Sequence, residues 1–139
     1  MRKFENSDGT MMIGGVSSVD LAERYGTPLY VTDEQAVRDN YRRIKGAFKA
    51  YMPVRVHFAC KSNWALAVLR ILCQEGSNID AVSVNEVDAC LRAGFPPGRI
   101  LYTGVSVSTE ELYQVASRGV MINIDSFSEM RRLAEMTTE

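Results

Sequence analysis

A primary amine at the end of an apolar strand can attack a carbonyl carbon, or it can simply keep the strand end in water. Lys61 poses that choice. It closes the stretch Val54-Arg55-Val56-His57-Phe58-Ala59-Cys60-Lys61, and Ser62-Asn63 breaks the pattern directly after it. Carbonyl chemistry needs the neutral amine, which partial burial favours. Position alone favours the solvated strand end, which is what most lysines at such places are.

The remaining reactive residues narrow the options. His57 is the only histidine and lies mid-strand with no second ligand at metal spacing, so it reads as a packed or hydrogen-bonded core residue, and no metal site is expected. Asp80 opens the apolar stretch Ile79-Asp80-Ala81-Val82-Ser83; a carboxylate there needs a partner if buried, or it belongs to a turn or cap. Glu86 stands three residues after Ser83, which is the spacing of a capping box. Cys60, Cys73 and Cys90 are widely spaced and odd in number, which argues against a disulfide framework or a zinc site and for core thiols in a reducing cytoplasm. Trp64 is expected to pack beside Lys61. Gly14-Gly15 lacks the spacing of a dinucleotide loop, and no Walker-type motif is present.

The elements that must position these residues show in the periodicity. Residues 10–16 read as a short strand ended by Gly14-Gly15, 18–25 as a helix stopped by Gly26, and 28–32 as a second strand. Thr32-Asp33-Glu34-Gln35 has capping-box form, and Val37, Tyr41, Ile44 and Phe48 share one face of the helix that follows. From there the chain becomes regular. Strands over 54–61, 79–83, 100–104 and 120–125 each lead into a helix. Ser83-x-x-Glu86, Ser108-x-x-Glu111 and Ser126-x-x-Glu129 mark three helix starts. The strand ends at Lys61, Ser83, Gly104 and Asp125 are spaced 22, 21 and 21 residues apart. Strand-helix units of constant length imply parallel strands with helical crossovers. Both a doubly wound sheet and part of a (β/α)8 barrel fit, and four units cannot close a barrel.

The first strand of this run has two faces. Val54, Val56, Phe58 and Cys60 lie on one; Arg55, His57, Ala59 and Lys61 lie on the other. The apolar face belongs under the helices. Lys61 and Asp125 then fall at the C-terminal rim of the polar face, where such sheets keep their sites.

Composition removes several classes of function. A 46% hydrophobic and 24% charged chain is globular, and a net charge of -1 with no basic run gives no case for nucleic acid or an anionic membrane. No apolar run approaches the ~20 residues of a membrane span. The N-terminus, Met1-Arg2-Lys3-Phe4-Glu5-Asn6, lacks the apolar core of a signal peptide.

Five segments carry a resemblance: YGTPLYVTDEQAVRDNYRRIKGAF (25–48), HFACKSN (57–63), IDAVSVNEV (79–87), AGFPPGRILYTG (93–104) and INIDS (122–126). In order and spacing they resemble the diaminopimelate decarboxylases, members of the alanine-racemase-like, fold-type III group of pyridoxal-phosphate enzymes. The likeness runs from about residue 10 to the end. It implies pyridoxal 5'-phosphate as cofactor, with Lys61 as both the catalytic and the Schiff-base lysine. Cys60 and Ser62 are variants within the lysine motif. The likeness also implies Asp80 beside the cofactor, and Asn63, Ser83 and Glu86 as possible site support. The expected activity is decarboxylation of meso-diaminopimelate to L-lysine and carbon dioxide.

The same resemblance implies an α/β fold, the N-terminal part of a pyridoxal-phosphate-binding (β/α)8 TIM barrel of about four units. Residues 1–32 would contribute to a β-rich second domain and 33–139 would form the partial barrel. The family's glycine-rich phosphate loop, ring-stacking histidine and substrate arginines have no counterpart in this chain. A small-molecule amino-acid substrate, a homodimeric full-length parent and an inactive 139-residue piece are therefore expected. An ornithine-, arginine- or carboxynorspermidine-type decarboxylase is the alternative within the fold. A non-catalytic pyridoxal-phosphate carrier and a small α/β binding module are the alternatives outside it.

Overall fold

The computed structural model describes residues 5–7 and 9–136. The chain begins with a small antiparallel sheet of β1 (Glu5–Ser7), β2 (Thr10–Ile13) and β3 (Val16–Ser17). The single strand expected over 10–16 is thus a hairpin, in which Gly14-Gly15 turns the chain and Ile13 pairs with Val16. Helix α1 (Ser18–Tyr25) follows at once, because the Ser17 hydroxyl accepts the Val19 and Asp20 N–H groups. It stops at Gly26, as expected.

Residues 28–32 correct the sequence reading. They form no strand and are exposed throughout, Tyr30 completely. The β-propensity of Leu-Tyr-Val-Thr is real, but a strand exists only where a neighbouring backbone accepts its hydrogen bonds. Helix α2 (Glu34–Lys49) starts one residue later than its expected cap. The Asp33 carboxylate, not the Thr32 hydroxyl, accepts the Ala36 N–H at 3.2 Å, and Gln35 instead donates to Asp39. A carboxylate also complements the positive end of the helix dipole, which a hydroxyl cannot do. Of the apolar face expected here, Tyr41 is buried and Val37 half-buried, whereas Ile44 and Phe48 are exposed.

The second sheet is parallel throughout, in the order β4 (His57–Ala59), β5 (Asn78–Ala81), β6 (Ile100–Tyr102), β7 (Met121–Ile122). Its strands alternate with α3 (Leu66–Gln74), α4 (Val84–Ala93), α5 (Thr109–Ala116) and α6 (Phe127–Met136). Four strand-helix units therefore stand where the spacing placed them, with strands shorter than the sequence suggested. The strand expected over 54–61 is cut at its end because Cys60–Ser62 form a 3-10 turn.

Register fixes the two faces. Ala59 pairs with Asp80 and Asp80 with Leu101; Ala81 pairs with Tyr102 and Tyr102 with Ile122. Ile79, Ala81, Ile100 and Tyr102 point under the helices and are fully buried, against Leu69, Val87, Cys90, Leu112 and Val115. Each large apolar side chain buried this way contributes about 1.5–3 kcal/mol. The opposite face carries His57, Asn78 and Asp80, all half-buried, as the alternation predicts.

The segment between α4 and β6 shows why its composition matters. Gly94 ends α4 in the left-handed conformation, with its N–H on the Cys90 and Leu91 carbonyls. Phe95 is thereby tucked into the core. Arg99 stacks over the Phe95 ring at 5.3 Å and donates to the carbonyls of Cys73 and Ser77, so one side chain ties this segment to the chain where α3 ends.

Candidate active site

The site is built around the turn that follows β4. Cys60 points inward and is fully buried, its sulfur 3.8 Å from that of Cys90 on α4. The hydrogen bond to Cys60, together with burial, holds the Cys90 thiol far above the usual thiol range. With Cys60 anchored in the core, the next residue is carried to the rim. Lys61 is exposed there. Two neighbours lock the turn. The Ser62 hydroxyl donates to the Ala59 carbonyl at 2.5 Å. Asn63 donates its N–H to the Cys60 carbonyl and accepts the Ala65 N–H through its side chain.

Each remaining candidate has a defined partner. The Asp80 carboxylate accepts a hydrogen bond from the Thr103 hydroxyl at 2.5 Å, so the partner that a half-buried carboxylate requires lies on the next strand. Ser83 caps α4 by accepting the Glu86 N–H. Glu86 reaches back to accept the Val82 N–H at 2.9 Å, a capping function that needs no ligand. His57 lies half-buried with Nδ1 at 3.4 Å from the Ile79 carbonyl, the core role expected of it.

An open groove of about 1290 Å³ runs past this turn. Lys61, Asn63 and Trp64 form one wall, the exposed side of α4 with Asn85 and Glu86 another, and Tyr30 and Val31 a third. The structure thus brings Lys61, Asn63 and Glu86 together in the groove. It does not bring Asp80 or Ser83 there: Asp80 lies on the polar face of the sheet, and Ser83 is spent on the helix cap. Trp64, expected to pack, is 70% exposed along the groove. Asp125 is exposed beyond β7 and gives its N–H to Glu129.

Two residues escaped sequence reasoning. Thr103 follows β6 on the face of Leu101, and register with Asp80 was the signal that could have found it. Glu129 read only as a helix-start residue, yet it is 1% exposed, and its Oε1 has no hydrogen-bond partner among the described residues. Among those residues no group of three or more His, Cys, Asp and Glu side chains is placed to hold a metal ion, and no helix is long and apolar enough to cross a membrane.

Comparison with known proteins gives a consistent answer. Residues 34–139 match the model for the pyridoxal binding domain of pyridoxal-dependent decarboxylases. The chain is 52% identical over 135 residues to the diaminopimelate decarboxylase of Methanothermobacter thermautotrophicus, covering 96% of this chain and 32% of that one. It is 36% identical to the diaminopimelate decarboxylase of Bacillus subtilis, covering 97% of this chain and 31% of the relative. The crystal structure of the M. jannaschii diaminopimelate decarboxylase in complex with L-lysine superposes with a TM-score of 0.90 at 32% identity, over 96% of this chain and 32% of that one. The chain spans about a third of the length of the curated relatives it matches.

Proposed function

The chain belongs to the pyridoxal-dependent decarboxylase family, and on that premise we propose that it is the N-terminal part of a diaminopimelate decarboxylase. Its parallel sheet is four consecutive units of a (β/α)8 barrel. The activity proposed for the full-length polypeptide is conversion of meso-diaminopimelate to L-lysine and carbon dioxide, a proton taking the place of the lost carboxylate. Residues 1–32 are assigned to a β-rich domain; in support, β1–β3 form a sheet separate from the parallel one. A cytoplasmic homodimer is part of the same proposal and rests on the resemblance alone.

One observation carries this reading. Lys61 stands in the turn just beyond β4, at the C-terminal end of a parallel strand, inside the stretch that matches the pyridoxal binding domain. The residues present fit the cofactor where they can meet it. An exposed amine lies just beyond the C-terminal end of β4, and on the polar face of the adjacent strand, outside the groove, a carboxylate has one oxygen held by Thr103. Pyridoxal phosphate, when bound, supplies an electron sink for the pair released as carbon dioxide leaves. Lys61 is the amine that holds it, and Asp80 is the carboxylate beside it. Asn63 keeps the lysine turn in shape, and Ser83 and Glu86 hold the start of α4 across the groove.

The full-length polypeptide, supplied with pyridoxal phosphate, should release carbon dioxide from meso-diaminopimelate and leave L-lysine. Release from ornithine or arginine alone would reassign the substrate, and no release from any of the three would overturn the proposal. The isolated 139-residue chain should show no substantial turnover.

A further inference from the structure

We propose that Thr103 is the positioning residue for Asp80: its hydroxyl fixes the carboxylate so that one oxygen is taken and the other is offered to a donor in the site. The inference rests on the assignment of Asp80 to the cofactor site made above. It adds a residue that neither the sequence motifs nor the comparisons single out.

The geometry ties Thr103 to β5 twice. Its backbone N–H donates to the Ala81 carbonyl at 2.9 Å, and its hydroxyl donates to Asp80 Oδ1 at 2.5 Å. Main chain and side chain thus grip consecutive residues of the neighbouring strand. A hydroxyl donating to a carboxylate is a charge-assisted bond, stronger than a neutral pair. No other hydrogen bond reaches the Asp80 carboxylate among the described residues, so this one decides its orientation.

The flanks of Thr103 keep it from drifting. Tyr102 is fully buried on the opposite face of the strand, and its hydroxyl donates to Glu111 Oε1 at 2.8 Å. Gly104 is buried beneath the same tyrosine with no room for a Cβ. Thr103 therefore sits between two positions that packing has fixed, and its branched Cβ leaves few rotamers. Strand alternation sends Tyr102 under the helices and Thr103 to the polar face that Asp80 shares. A threonine that only capped the strand would need none of this.

The test uses the full-length polypeptide with pyridoxal phosphate as probe. Thr103→Val keeps the shape and removes the donor; Thr103→Ser keeps the donor. Cofactor affinity is read by absorbance titration, the labelled lysine by borohydride reduction and peptide mapping, and folding by thermal melting. T103V should weaken cofactor binding by about tenfold, the loss of one hydrogen bond to a charged group, and T103S should restore most of it. In an Asp80→Ala background, which has no acceptor for the hydroxyl, T103V should add little, because the two residues act as one unit. Unchanged affinity in T103V with Lys61 still labelled would overturn the role of Thr103 alone. So would the same tenfold loss in the D80A background, or a T103V effect confined to the melting temperature. If the unmutated protein takes no label on Lys61, the underlying site assignment fails instead.

Discussion

Tyr102 lies over Gly104 so closely that no Cβ can be placed on the glycine without striking the phenol. The relationship explains why a glycine stands two residues beyond Tyr102, the last residue of β6. The phenol is fully buried and pinned by Glu111, so the glycine cannot gain room by displacing it.

Gly104→Ala should therefore destabilise the full-length protein by about 1–3 kcal/mol, the usual range for overpacking a dense core. Urea unfolding followed by circular dichroism measures this. Wild-type stability in G104A would show that the Tyr102 ring can move aside.

The acid limb of stability should depend on Glu75. Its side chain is 8% exposed and bridges α3 to α2 through Arg42 and Arg38, both at 2.7–2.8 Å. The hydrogen bonds from Arg42, then Arg38, lower its carboxyl from an ordinary 4.5 to about 2. The folded state thus binds the proton less readily than the unfolded chain does. The stabilisation is fully present above about pH 4.5 and is lost as pH falls toward about 2. Glu75→Gln should melt lower at neutral pH and show a flatter decline through that window. Parallel wild-type and E75Q profiles there would count against the bridge.

Glu86 separates a cap from a catalytic group. Its carboxylate accepts the Val82 N–H, which an amide oxygen can also do. Glu86→Gln should leave the melting temperature close to wild type, while Glu86→Leu should cost about 1–2 kcal/mol by orphaning that donor. If E86Q keeps its stability but loses cofactor affinity, Glu86 acts on the ligand as well as on the helix.

What the sequence could reveal follows from the range of the interactions involved. The parallel order, the two faces of the sheet and the serine caps at 83, 108 and 126 are set by local periodicity and capping chemistry, and all are found. The glutamates of those three starts diverge. Glu86 and Glu129 return to a backbone N–H four residues earlier, whereas Glu111 goes to the Tyr102 hydroxyl. That difference depends on a tyrosine nine residues away and leaves no trace in the Ser-x-x-Glu spacing. Residues 28–32 misled for a similar reason: strand-forming residues make a strand only beside a partner. Lys61 was legible as a strand-end amine. The Asp80–Thr103 bond, made across 23 residues, was not.

The central claim is that Lys61 holds the cofactor. Reduction of the full-length polypeptide with borohydride in the presence of pyridoxal phosphate, followed by peptide mapping, tests it most directly. The account predicts a pyridoxyl group on the peptide containing Lys61 and no such label in Lys61→Ala. A label on another lysine, or none at all with the cofactor in excess, would contradict it.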